Sequence, residues 1–330
     1  VALGPGLGYI TGSSGVRILD LSEPSAPIEL GTVDTPNPAC DATRLRVRNN
    51  LLFGTHPNYS RGGFGIIDVT DPMNPQSRGY TWLRDVSFQS FEIIDHFAIV
   101  LSLWVNLGPR HLRVIDFSEL DHPVIVDSLE LPDRVSHLAG YGTLLFTGNA
   151  EGRIRVYEAS ALPSIAPRGE HSLDAEIAVL AAGPGVVYAH TYDGGLVTVD
   201  VSNPDAPVEV GRLQGYDFSR RQLIAEGNLL FGLGEGIWAF DITAPLAPVP
   251  AGSVGRTTSG SLRHMATNDD LEVCVGSYEA EIMIVDWSAP VAPPPVMDGP
   301  GTGPIEFMQV KGQTAYAITD TTLQSFDLTS

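Results

Sequence analysis

The chain has 330 residues, of which 43% are hydrophobic and 18% charged, with 35 Gly and 25 Pro. Apolar residues recur throughout, which suits a sizeable core and rules out a disordered chain. With 19 basic and 39 acidic residues the net charge is −20. Such a surface repels phosphate backbones and anionic lipid, so nucleic acid and membrane surfaces are excluded as partners.

No apolar run approaches the ~20 residues of a membrane span. Lys311 is the single lysine, a bias that fits a GC-rich coding sequence. Cys40 and Cys274 lie in no CxxC or His-rich pattern, so a zinc site is not expected. The sequence opens at Val1 without Met, so a processed or trimmed product is expected, which leaves room for an export signal upstream.

In chain order, one phrase recurs eight times. It reads "VRILDLSEPSAP" from Val16, "FGIIDVTDPMNP" from Phe64, "LRVIDFSELDHP" from Leu112 and "IRVYEASALPSIAP" from Ile154. It continues as "LVTVDVSNPDAP" from Leu196, "IWAFDITAPLAP" from Ile237, "IMIVDWSAPVAP" from Ile282 and "LQSFDLTS" from Leu323. The acidic anchors are Asp20, Asp68, Asp116, Glu158, Asp200, Asp241, Asp286 and Asp327, spaced 41 to 48 residues apart. That is the period of a β-propeller blade.

Each phrase is preceded by two strands and a tight turn, such as Gly227-Asn228, Asp269-Asp270 or Gly312-Gln313. It is followed by a fourth strand such as "PVEVGRLQG". One unit therefore reads as four antiparallel strands, A to D, with the phrase forming strand C and the C–D turn. The prediction is an all-β chain: a single β-propeller of four-stranded antiparallel blades, eight in number, with seven as the alternative. Blade boundaries fall at about 1–34, 35–83, 84–131, 132–173, 174–215, 216–256, 257–300 and 301–330. Strand A of the first unit is shortened, and the last unit ends after strand C. Unit four lacks the Asp-x-Ser-x-Pro pattern, so a different turn is expected there.

The anchor carboxylate ends strand C, and Ser or Thr follows two residues later in most units. Such side chains bond to nearby backbone N–H groups, so the repeated acids are read as turn-makers. "LVTVDVSNPDAPVEVG" and "IMIVDWSAPVAP" resemble the LVIVD repeat family over essentially the whole chain. The resemblance implies a β-propeller, often exported or surface-associated, with no common catalytic motif.

In a propeller, function lives where units differ. Strand A lines the channel, and there Arg44, His137, Gln222, His264, Glu176 and Glu306 form a set more polar than packing requires. Two readings stand: a water-filled channel, or a ligand or metal site at its mouth. The second candidate is the B–C rim of units two and three. "THPNYSRGGFG" carries His56, Tyr59 and Arg61, and "LSLWVNLGPRHLR" carries Trp104, Arg110 and His111. Both read as long loops bearing an aromatic and an Arg, types enriched at binding hot spots; the alternative is that Trp104 and Tyr59 cap blade edges.

GxSxG, HExxH and Walker A motifs are absent from the sequence. No disulfide is expected between Cys40 and Cys274. The expectation is a non-enzymatic platform in the periplasm, at the cell surface or in the medium, binding a protein or small ligand through its loop face, without a cofactor. A hydrolase or lyase with a polar or metal site at the channel mouth is the alternative.

Overall fold

The computed structural model describes residues 2–4, 7–12, 15–20, 28–33, 44–56, 61–104, 108–216, 218, 222–234, 236–255, 262–267, 272–277, 281–286, 297–300, 305–311, 314–319 and 323–327. They form strands and turns throughout, with no helix among them. None of the described residues therefore belongs to a helix long and apolar enough to cross a membrane.

Two compact units divide the chain, Val1–Asn149 with Tyr157–Arg168, and Ala150–Val156 with Gly169–Ser330. In the first unit, sheet one is β1 (Ala2–Gly4), β2 (Leu7–Gly12), β3 (Gly15–Asp20) and β4 (Ile28–Val33). Sheet two is β5 (Arg44–Arg48), β6 (Leu51–His56), β7 (Arg61–Asp68) and β8 (Gln76–Arg84). Sheet three is β9 (Val86–Ile94), β10 (Phe97–Trp104), β11 (Arg110–Asp116) and β12 (Val124–Leu131). Sheet four, β13 (Val135–Tyr141), β14 (Leu144–Asn149), β15 (Arg153–Ala161) and β16 (Ser164–Ser172), contributes residues to both units.

The second unit holds sheet five, β17 (Ile177–Gly183), β18 (Val186–Thr191), β19 (Gly195–Asp200) and β20 (Val208–Gln214). Sheet six is β21 (Gln222–Glu226), β22 (Leu229–Leu233), β23 (Gly236–Asp241) and β24 (Val249–Gly255). Sheet seven is β25 (Leu262–Thr267), β26 (Glu272–Ser277), β27 (Glu281–Asp286) and β28 (Met297–Pro300). Sheet eight has three strands among the described residues, β29 (Ile305–Lys311), β30 (Thr314–Thr319) and β31 (Leu323–Asp327). Every sheet runs in chain order with antiparallel neighbours, the blade arrangement of a propeller.

Tight turns set each register. Asn49 and Asn50 adopt φ of 51° and 58°, the left-handed pair that a two-residue hairpin turn needs. Gly227 does the same at φ 53°. The third strand of sheet five is buried on both faces: β19 is buried from Gly195 to Val199. One face of β11, Leu112 and Val114, packs with Leu145 and Tyr157 of sheet four. The other, at Ile115, packs with Phe53, Phe64 and Ile66 of sheet two. A strand sandwiched this way must be apolar on both sides.

A bulge recurs where the third strand meets the fourth. It falls at Ile18/Leu19, Gly65/Ile67, Val114/Ile115, Thr198/Val199 and Ala239/Phe240. The fourth strand carries the extra residue, Val126 in β12 and Val210 in β20, both solvent-exposed. A bulge bends the outer strand and disrupts its free edge, which guards against edge-to-edge pairing.

Glycine follows the bulge in several sheets and allows the next sheet's turn to dock. A methyl group on Gly79 would overlap Pro123 and the carbonyl of Leu120; on Gly169 it would overlap Pro207 and Asp205. Unit four has the different turn expected. There β15 runs on to Ala161, and a cis Leu162–Pro163 bond leads into β16.

Candidate functional site

Five of the repeated acids act as turn-makers. Asp116, Asp200 and Asp241 each accept the backbone N–H two residues on, from Ser118, Ser202 and Thr243, all at 2.8 Å. Asp68 accepts from Thr70 at 3.0 Å, and Glu158 from Ser160 at 3.1 Å. Hydrogen bonds to the ionised form hold Asp116 and Asp200 below the usual carboxylate range, from the Ser118 N–H first in one and the Ser202 hydroxyl first in the other.

The B–C rim of sheets two and three lies within the first unit. The expected long loops are largely strand instead. His56 ends β6 opposite Gly63, and Arg61 opens β7 opposite Arg84. Trp104 ends β10 opposite Val86, and Arg110 opens β11 opposite Leu131. Backbone pairing continues to these positions because each hairpin finds a partner strand on its far side, β8 or β9. Tyr59 lies outside the described residues. Gly62 brings β7 against β9, since a methyl there would strike the carbonyl of Val86 and the N–H of Phe88.

His111 pairs with Ser102 across β10 and with Glu130 across β12. Its Nε2 is 3.9 Å from the Glu130 carboxylate. Burial first, and the Arg113 charge second, push the imidazole below its ordinary value, against the pull of Glu130. Arg113 was not picked out from the sequence. Its Nε donates to the buried Ser102 hydroxyl at 3.0 Å and its Nη1 to Ser128 Oγ at 3.2 Å. Ser102 in turn donates to the His111 carbonyl at 3.3 Å. The sequence signal was an Arg three residues before the anchor, shared with Arg17 and Arg155.

The polar strand-A set is spread over both units. In the first, Arg44 opens β5 opposite Thr55, and His137 sits half-buried in β13 beside a register shift. In the second, the exposed Glu176 precedes β17, and its carbonyl accepts the N–H of Tyr192 at 2.9 Å. Gln222 in β21 reaches the next sheet, its Oε1 accepting the N–H of Met265 at 2.6 Å. His264 precedes Met265 in β25. Glu306 lies in β29. No group of three or more His, Cys, Asp or Glu with metal-holding geometry occurs among the described residues. Cys274 lies in β26, and Cys40 is outside the described residues.

The LVIVD repeat profile matches residues 8–35 and 187–214, which span β2–β4 and β18–β20. The chain thus carries LVIVD repeats in both units. No curated protein matches its sequence. Among solved structures, the computationally designed Ika8 protein superposes with a TM-score of 0.74 at 12% identity, over 99% of this chain and 95% of that one. BamB from Moraxella catarrhalis gives 0.65 at 13% identity, over 98% and 94%. A chain of the Mitotic Checkpoint Complex gives 0.61 at 12% identity, over 91% and 99%. At such identities the likeness carries the fold, and the fold is a β-propeller.

Proposed function

We propose that this LVIVD-repeat propeller is a non-enzymatic binding platform, exported to the periplasm, cell surface or medium, whose contact surface is the B–C rim of sheets two and three. The observation that carries this reading is the length of the two hairpins there. Strands β7 and β10 run for 8 residues each, whereas β22 and β23 of sheet six have 5 and 6. Units built on a common scaffold differ at this end, and binding residues collect where a rigid scaffold varies. His56, Tyr59, Arg61, Trp104, Arg110 and His111 supply aromatic, cationic and hydrogen-bonding chemistry there, the residue types that anchor protein interfaces. A propeller chain within the Mitotic Checkpoint Complex is a precedent for the fold as an assembly part.

A photo-crosslinking amino acid at position 59 or 104 tests the rim. A single crosslinked partner from those positions, with none from position 193 in the corresponding turn of sheet five, is the expected result. Equal labelling from all three positions overturns the assignment. Fractionation of cells making the full gene product tests export, and a purely cytoplasmic product refutes that part.

A further inference from the structure

Three strand-C arginines occupy one register position, three residues before the anchor acid: Arg17, Arg113 and Arg155. Two of them are neutralised within their own sheet. Arg17 meets Glu29 at 2.6 Å, and Arg155 meets Glu170 at 2.7 Å. Arg113 has no such partner. Ser128 stands directly opposite it, and Ile125 stands three residues earlier, the place that Glu29 takes relative to Thr32 opposite Arg17. The neighbouring Asp127 is engaged with the backbone N–H of Ser128 at 2.8 Å. Glu130 reaches toward His111 instead. Among the described residues no carboxylate pairs with the Arg113 guanidinium.

This cation lies between sheets two and three. Arg113 shares a strand face with Ile115, which packs with Phe53 and Phe64 of sheet two, and its cross-strand neighbour Val100 belongs to the same cluster. Burial pushes its basicity down, the mark of a charge taken out of water without a counter-charge. Two of its five N–H groups are used, by the Ser102 and Ser128 hydroxyls. Ser102 is 1% exposed and its own proton goes to the His111 carbonyl. The hydroxyl is therefore fixed as an acceptor that holds the Nε edge. The remaining fork donors match two oxygens of an oxyanion.

We infer that Arg113, steered by Ser102 and Ser128 and flanked by His111, is a binding site for a small oxyanion, a carboxylate or a sulfate- or phosphate-type group, that takes the place of the glutamate found in the sister sheets. The site shares His111 with the rim and stands whether or not a protein docks there.

The test is thermal melting with sulfate and, separately, acetate at low millimolar concentration, against chloride at equal ionic strength. The expected result is a saturable rise in Tm of about 2 °C with at least one of them. Arg155→Gln, which removes an arginine already paired, keeps the response. Ser128→Asp, which places a carboxylate opposite Arg113 as an internal substitute, abolishes it while raising Tm without added anion. Arg113→Gln abolishes it too, and Ser128→Asp covers the case in which that variant does not fold. No rise beyond chloride with either anion, or an undiminished rise in Ser128→Asp, overturns the inference. A failed crosslink at positions 59 and 104 leaves these outcomes unaffected, so the two proposals fail separately.

Discussion

The backbone N–H of Gly169 donates to the carbonyl oxygen of Pro204 at 2.8 Å. Strand β16 thereby holds the C–D turn of sheet five against its own edge, within the second unit. A Cβ at Gly169 would lie 2.6 Å from the backbone of Asp205 and overlap Pro207. By contrast, a Cβ at Gly211, the equivalent residue of β20, would meet nothing within 4 Å. Gly169→Ala is therefore expected to cost about 1–3 kcal/mol through overpacking. Gly211→Ala is expected to be neutral or slightly stabilising. Urea midpoints of the two variants check this, and equal losses would refute the docking role of Gly169.

The anchor aspartates act through one acceptor oxygen. Asp200→Ala leaves the Ser202 N–H without its partner and is expected to lose about 1 kcal/mol. Asp200→Asn keeps an oxygen in the same place and should lose less than half of that. Chemical denaturation separates the two outcomes. If Asn is as damaging as Ala, the charge matters more than the acceptor, and the turn-making account of the repeated acids fails.

Acid should unfold the protein in two steps of distinct origin. Asp68, Asp116, Asp193 and Asp200 are all held below their ordinary value, chiefly by hydrogen bonds from Thr70, Ser118, Thr191 and Ser202 respectively. Their stabilisation is complete above the unfolded carboxylate value, about 4, and is lost as pH falls through the lower folded values. His111 is also held down, so its neutral form is favoured in the fold. The unfolded imidazole takes up its proton first, and stability declines as pH falls below about 6.5. His111→Gln should flatten the pH 5–7 part of a stability profile and leave the part below pH 4 intact. An unchanged slope between pH 5 and 7 would remove His111 from that role.

The repeat was legible because most blades write their third strand and its turn in nearly the same letters. An apolar strand ending in Asp or Glu, with Ser or Thr two places on, encodes both the sandwiching by neighbouring sheets and the turn bond, which are local. The glycine after the bulge was present in "PIELG" and "PVEVG" but unread, because its reason lies in the next sheet: Gly31 faces Pro72 and Pro75. The rim segments at His56 and Trp104 read as loops, since glycine, proline and asparagine cluster beside them. They pair as strands because β8 and β9 are long enough to receive them. Arg113 could not be told from Arg17 or Arg155 by position. The bulge shifts the phase of the fourth strand, so sequence spacing alone does not say which side chain stands opposite.

Tyr188 joins two sheets of the second unit through its hydroxyl. The ring is fully buried in β18, and the O–H donates to the carbonyl oxygen of Pro245, in the turn of sheet six, at 2.9 Å. Burial pushes the phenol up to about 12. Tyr188→Phe keeps the packing and orphans a carbonyl, for an expected loss of about 1–2 kcal/mol. Tyr188→Ala adds a cavity and should lose about 3–5 kcal/mol. The raised phenol also sets a sign at alkaline pH. The unfolded tyrosine releases its proton near pH 10 while the folded one keeps it, so stability declines as pH rises past about 10. Tyr188→Phe removes that decline along with the hydrogen bond. Melting curves at about pH 8 and pH 10.5 distinguish the two effects: the wild type should lose more than the Phe variant between them, and equal losses would show that the hydroxyl is not held as described.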